Sequence, residues 1–192
     1  MSNGMLPPEL NYVRVTVQDQ DVGMLFVSEL QINFVMSSVQ LPGPVRVRVT
    51  VDSNPGPEVT VTLVDAAPAL FPMPVTGIYC IATRADQLLT ADSPAHANDY
   101  VVIYVTGLGY TSPNTPVRFI PAAAAQMTAS LKISLNGLAL DPVRIKYAGV
   151  TPGSAGLYQI NLVLPDGTGP DPEILVSGGT LPAQTGLKLA LR

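Results

Sequence analysis

Most of what marks a catalytic, metal-binding or nucleic-acid-binding chain is scarce in this sequence. Its 192 residues include no tryptophan, 1 cysteine (Cys80) and 1 histidine (His96). A single cysteine forbids an internal disulfide and a thiolate metal cluster. A single histidine leaves little from which to assemble a base, a nucleophile and a group to orient them. Charged residues make up 12% of the chain, about half the roughly 25% of ordinary soluble domains. With 10 Lys and Arg against 14 Asp and Glu, the net charge is -4, which leaves no basic face for nucleic acid. The longest unbroken apolar run, Tyr100–Val105, falls far short of the about 20 residues that span a bilayer. The first eight residues have neither a basic region nor an apolar segment and do not read as a signal peptide.

What is present is valine and threonine in alternation, punctuated by 16 glycines and 19 prolines. Val13, Val15 and Val17 alternate with Arg14 and Thr16. The same pattern runs through Val45–Val51, Val59–Leu63 and Leu131–Leu135. Side chains on a strand alternate faces, so each run predicts a half-buried antiparallel strand. Tyr100–Val105, apolar throughout, predicts a central strand buried on both faces. Between the runs lie turn clusters such as Leu41–Pro44, Asn54–Pro57, Thr151–Ser154 and Pro165–Thr168. Only Pro121–Met127 suggests a helical turn or two. The expected fold class is all-β, a sandwich of short strands.

The two halves also share a motif. Leu30-Gln31-Ile32-Asn33-Phe34-Val35 recurs as Tyr158-Gln159-Ile160-Asn161-Leu162-Val163, each preceded by a strand pair and followed by a turn and another strand. Such recurrence predicts two tandem immunoglobulin-like antiparallel sandwiches, at residues 1–66 and 67–192. Asp65–Pro72, rich in Ala and Pro, is expected to be a semi-rigid linker. The first copy has no counterpart of Tyr100–Gly109, so it is expected to be one strand short. Its completion is expected from the second domain, for instance by a strand lent from Gly77–Ala82, or from a symmetric partner.

At several ordered motifs the sequence resembles a known family, the Ig-like C-terminal domain of unknown function that recurs in exported acidobacterial, Solibacter-type proteins. The resemblance lies in Tyr104–Gly109, Tyr147–Gly149, Pro152-Gly153, Gly156–Asn161 and Leu164-Pro165, with Ala67–Phe71 similar to the family's opening. It implies an exported, non-catalytic immunoglobulin-like module with no catalytic residues to carry over.

Gly107-Leu108-Gly109 follows a strand, but Ser112-Pro113 follows it in place of a helix, so a turn is expected rather than a phosphate loop. His96 sits in a loop without a nucleophile elbow anywhere in the chain, and Cys80 lies among apolar neighbours as a small hydrophobe. Asp166–Asp171 carries carboxylates only at its ends and falls short of a calcium ladder. Tyr110 is expected to be the best exposed tyrosine and the candidate contact for a glycan. Gln31, Asn33, Gln159 and Asn161 are expected to fix loops through side-chain to backbone hydrogen bonds.

No catalytic, cofactor-binding or metal-binding residue is therefore assigned, and no enzyme activity or cofactor is expected. The expected role is an extracellular or cell-surface module acting as spacer, adhesion or protein-interaction element. The alternative is a carbohydrate-binding module of a secreted multidomain protein. Partners are expected to be protein or glycan, with neither nucleic acid nor a membrane span, and self-association through the incomplete first domain is one route to its completion. EDTA is expected to leave the melting temperature unchanged, because a ligand bound only by the folded state would raise it. A fall of several degrees, restored by calcium, would mark the acidic turns as a site.

Overall fold

Alternating runs cut by turn residues leave the backbone few options besides short antiparallel strands, and these, with one 3-10 turn, make up the regular structure of the computed structural model. It describes residues 4–36, 41–179, 181 and 184–192. The longer strands are β1 (Val13–Val17), β2 (Gly23–Val27), β3 (Ile32–Val35), β4 (Gly43–Val51) and β5 (Asn54–Leu63). They continue with β6 (Ala82–Arg84), β7 (Tyr100–Thr106), β8 (Leu131–Leu135), β9 (Ile145–Val150), β10 (Tyr158–Val163) and β11 (Ile174–Gly178). Among the described residues there is no α-helix. Pro121–Met127, expected to turn helically, instead supplies a short strand at Gln126–Met127. One 3-10 turn, Pro142–Arg144, is capped by the Asp141 carboxylate, which accepts the Val143 N–H at 3.0 Å.

The chain forms two compact units, each drawn from separated stretches. The first comprises Met1–Asp65, Pro113–Ala125 and Thr151–Gly156; the second comprises Ala66–Ser112, Gln126–Val150 and Leu157–Arg192. In the first unit β1 lies between the short strand Glu9–Leu10 and β4, and β4 pairs with β5. A two-stranded sheet of β2 and β3 supplies the other layer. Val13, Val15, Val17 and Val45 meet Val22 and Met24 in the core, with Ile32 and Phe34 packed against it. The additional stretches are tied by backbone bonds. Leu6 N–H donates to the Arg118 carbonyl at 2.7 Å, Ile120 N–H to Gly4 at 2.8 Å, and Gly153 N–H to Pro121 at 2.7 Å.

The second unit is centred on β7 and β10, whose register sets Ile103 opposite Ile160. β9 flanks β10, and β6 flanks β7. Val101, Ile103 and Val105 are buried while Val102 and Tyr104 on the other face are half-buried. β8 and β11 pair in a separate sheet. The stretch from Leu187 to Leu191 threads between elements: Cys80 N–H donates to Lys188, Ala95 N–H to Ala190 and Ile174 N–H to Leu187, each at 2.9–3.0 Å. Leu187, Leu189, Ala190 and Leu191 are buried.

The same order of connections occurs twice. β1 ends in a two-residue turn, Gln18-Asp19 at φ 50° and 62°, and β8 in Asn136-Gly137 at φ 50° and 77°. β1 then pairs with β4, as β8 does with β11. β2 pairs with β3 through a bulge between Met24 and Phe26, as β9 does with β10 between Ile145 and Tyr147. The difference lies beyond the hairpin. β10 has β7 on its far side, and among the described residues β3 pairs with β2 alone, so Ile160 is fully buried and Ile32 only partly.

Two expectations need correcting. Asp65–Pro72 is no linker: Ala69–Leu70 pairs with Val105–Thr106, and Ala66 and Leu70 are buried. The prolines at 68 and 72 bracket this pair and remove none of its N–H donors. Gly77–Ala82 is not lent to the first unit, since its Cys80 and Ala82 bond to Lys188 and pair with Ile103 in the second. The stretches that join the first unit are 113–125 and 151–156.

Gly107 and Gly137 both have φ above +70°, but a Cβ on Gly107 would lie 2.1 Å from the Ala67 carbonyl oxygen, whereas Gly137 faces open space. Gly137→Ala is therefore expected to cost about 1 kcal/mol of stability from backbone strain alone. Gly107→Ala, which must also break the Ala67 N–H···O=C Gly107 bond, is expected to cost about 3 kcal/mol or more in denaturant titration.

Candidate functional site

A group of hydrogen-bonded polar side chains, including the chain's one histidine, lies at the loop leading into β7. Ala95 is fully buried and pinned by backbone bonds to Ala190 and Arg192, which fixes the position of the next residues. His96 N–H donates to Asp99 Oδ2 at 2.7 Å, closing the loop on itself. Arg84, at the end of β6, donates from Nη1 to the same oxygen at 2.6 Å and lies 3.2 Å from His96 Nδ1. Asn98, at φ 65°, donates from Nδ2 to Asp166 Oδ1 at 2.9 Å. β6 and β7 are adjacent strands, so their pairing brings Arg84 to the loop that precedes β7.

The electrostatics of this group are those of a clasp. Partial burial of Asp99 opposes its charge. The Arg84 guanidinium and the His96 amide outweigh that effect and hold its carboxyl below the usual carboxylate range. Catalysis by His96 needs a nucleophile within reach of the ring. Ser93, the nearest by sequence, has its backbone N–H and C=O paired reciprocally with Thr90 at 3.1 Å. The His96 ring, 62% exposed, lies beside the Arg84–Asp99 pair.

The remaining sites expected from sequence fall as follows. Cys80 is 1% exposed, and burial pushes its thiol up to about 12, against a smaller opposing hydrogen bond. It is neither thiolate nor nucleophile at neutral pH. Gly107 and Gly109 take φ 74° and 85° in a turn, and the Tyr158 hydroxyl donates to the Gly109 carbonyl at 2.8 Å. Among the described residues, no three His, Cys, Asp or Glu side chains gather as a metal site. Asp166 instead accepts from Asn98, and the Asp171 N–H donates to Leu191 at 3.0 Å.

Tyr110 is not the best exposed tyrosine. It is half-buried, and its carbonyl accepts the Thr128 N–H at 2.9 Å. The chain after Gly109 forms no open loop, because Thr111–Ser112 pairs at once with Gln126–Met127. Tyr12 and Tyr100, 73% and 49% exposed, present more ring. The Gln–Asn motif also differs in detail from the expected side-chain to backbone bonds. Gln31 Nε2 donates to Asn33 Oδ1 at 2.7 Å, and Gln159 Nε2 to Asn161 Oδ1 at 2.9 Å. Residues two apart on a strand share a face, so each pair satisfies itself along its own strand.

Arg84 was not singled out from the sequence. Its role depends on strand pairing to Asp99, fifteen residues on, and nothing in the local pattern around Ala82–Ala85 signals it. Comparison with family models, with curated proteins and with solved structures gives no match.

Asp99 has a depressed pKa in the folded state, so its clasp stabilises above the ordinary carboxylate range and is lost as pH falls through the folded value. Asp99→Asn is expected to lower the melting temperature at neutral pH. The two melting curves should converge as the pH falls below the folded-state value of Asp99. A gap that persists in acid would assign the effect to packing instead of charge.

Proposed function

We propose that this chain is a non-catalytic module of an exported or cell-surface protein, built from two tandem immunoglobulin-like copies with a shortened first one, and that it works as a spacer or adhesion element through protein contacts. The single observation that carries this reading is how the chemically able side chains are used. His96, Arg84 and Asp99 close a loop, and Cys80 is packed in the core as a neutral thiol. The recurring order of connections, bulge included, supports the tandem reading and membership in the Ig-like family that the sequence resembles. Exposed apolar side chains on the first unit, among them Leu25, Phe26, Val59 and Val61, suit contact with other proteins.

A carbohydrate-binding role is the second reading, favoured by the exposed rings of Tyr12 and Tyr100. A glycan array separates the two. The chain is expected to give no reproducible binding; binding abolished by Tyr12→Ala, Tyr100→Ala or Tyr110→Ala would replace the first reading with the second. Fractionation of cells producing the protein from its complete reading frame tests the location, and retention in the cytoplasm would overturn the exported role.

A further inference from the structure

Among the described residues β5 is the longest strand and forms one edge of its sheet, pairing only with β4. Its residues from Pro57 to Thr62 are all exposed. Val59 lies opposite Val47, and Val61 opposite the core residue Val45, so both valines belong to the inner face of the sheet. Yet they are 55% and 41% exposed. From Glu58 to Leu63, beyond the bulge at Arg48/Thr50 and the prolines at 55 and 57, β5 pairs with β4 in unbroken register and, among the described residues, bears no further strand. An apolar edge of this kind is one that most proteins blunt.

The direction of its free hydrogen-bonding groups follows from Arg46. Arg46 C=O accepts the Gln18 N–H at 2.9 Å, and Arg46 N–H donates to Gln18 Oε1 at 3.2 Å. Both backbone groups of Arg46 thus point toward the β1 side. Arg46 lies opposite Thr60, and that pair exchanges no ladder bond. In an antiparallel ladder such pairs alternate with bonded ones, so the N–H and C=O groups of Glu58, Thr60 and Thr62 point out from the free edge.

We propose that β5 pairs antiparallel with β5 of a second copy of this chain, about a two-fold axis through Thr60. In that register Thr60 faces Thr60 and Glu58 faces Thr62, and every outward N–H and C=O of these residues finds a partner. Val59 faces Val61 on one side of the joined sheet, so the inner-face valines of the two copies meet. The charges also fit. Glu58 is the only charged residue of the strand and is held by Arg48 at 2.9 Å and Arg46 at 3.8 Å. It faces a threonine rather than its own copy. An axis through Glu58 would oppose two carboxylates, and an axis through Thr62 would run past the strand's end at Leu63.

The pairing closes at two. A two-fold contact uses the same edge on both molecules. At the opposite edge of the sheet lie Glu9–Leu10 and Gln20–Asp21, each two residues long and the first following Pro7 and Pro8, both too short to extend it. The inference rests on edge geometry alone, and a monomeric chain would leave the reading of a non-catalytic module untouched.

Sedimentation velocity of the full chain over roughly 5–500 μM is expected to show a reversible monomer–dimer equilibrium. Thr60→Lys sets like charges opposite one another across the axis and is expected to raise the dissociation constant about tenfold or more. Thr62→Lys faces Glu58 of the other copy and is expected to lower it. Thr60→Cys is expected to give an oxidised, covalent dimer, while Val59→Cys, which faces Val61, is not; the buried Cys80 contributes no background. Circular dichroism confirms that each variant is folded. A monomer throughout the range, a dimer indifferent to Thr60→Lys, or crosslinking equal at positions 59 and 60 would overturn the proposal.

Discussion

The second unit depends on one ladder, the pairing of β7 with β10. Its register sets Ile103 against Ile160 and Val101 against Leu162, all fully buried. From that pair outward, β10 positions β9, and β7 positions β6 and Ala69–Leu70. A shift of one residue along this ladder would send Ile160 and Leu162 to the half-buried face. The Arg84 clasp stands on the neighbouring ladder, since the pairing of β6 with β7 brings the arginine to the loop from which β7 emerges. Among the described residues the first unit has no equivalent ladder beyond β3, and its core of buried residues is correspondingly small.

Fold class was legible in the sequence because period-two alternation is a local signal. Val13–Val17, Val45–Val51 and Leu131–Leu135 could be read one strand at a time, and the Gln–Ile–Asn motif exposed the recurring hairpin. What could not be read was long-range. Ala69–Leu70 was mistaken for a linker because proline density is local evidence, whereas its partners, Val105 and Thr106, lie more than thirty residues on. The membership of 113–125 in the first unit likewise depends on bonds from Gly4 and Leu6 that no composition predicts. At the candidate site, Cys80 was read correctly as a buried hydrophobe from its neighbours. Tyr110 was misjudged because a Gly-rich turn resembles an open loop until its pairing with Gln126–Met127 is known.

The scarcity of charge shapes how the molecule uses what it has. Arg46 and Arg48 share Glu58, Arg46 also reaches Asp19, and Arg14 lies near both Glu9 and Asp21. Exposed pairs of this kind contribute little stability individually. Their effect here is positional, because they line the outer face of β1, β4 and β5 and leave the other face to valine. The polarity of that sheet is thereby fixed, with one face for water and the other for apolar contact.

The threading of Leu187–Leu191 through the second unit also constrains when that unit can form during synthesis. Its backbone groups satisfy Ile174 and also Cys80 and Ala95, the last two made much earlier. A nascent chain that has emerged only as far as β11 has apolar strands but lacks the segment that closes them. Such contacts between distant parts of a chain slow folding and prolong the exposure of unpaired edges. On the ribosome, the second unit is therefore committed to folding late and as a whole, and the interval before Leu187–Leu191 emerges is when it is most open to capture by chaperones or by another nascent chain.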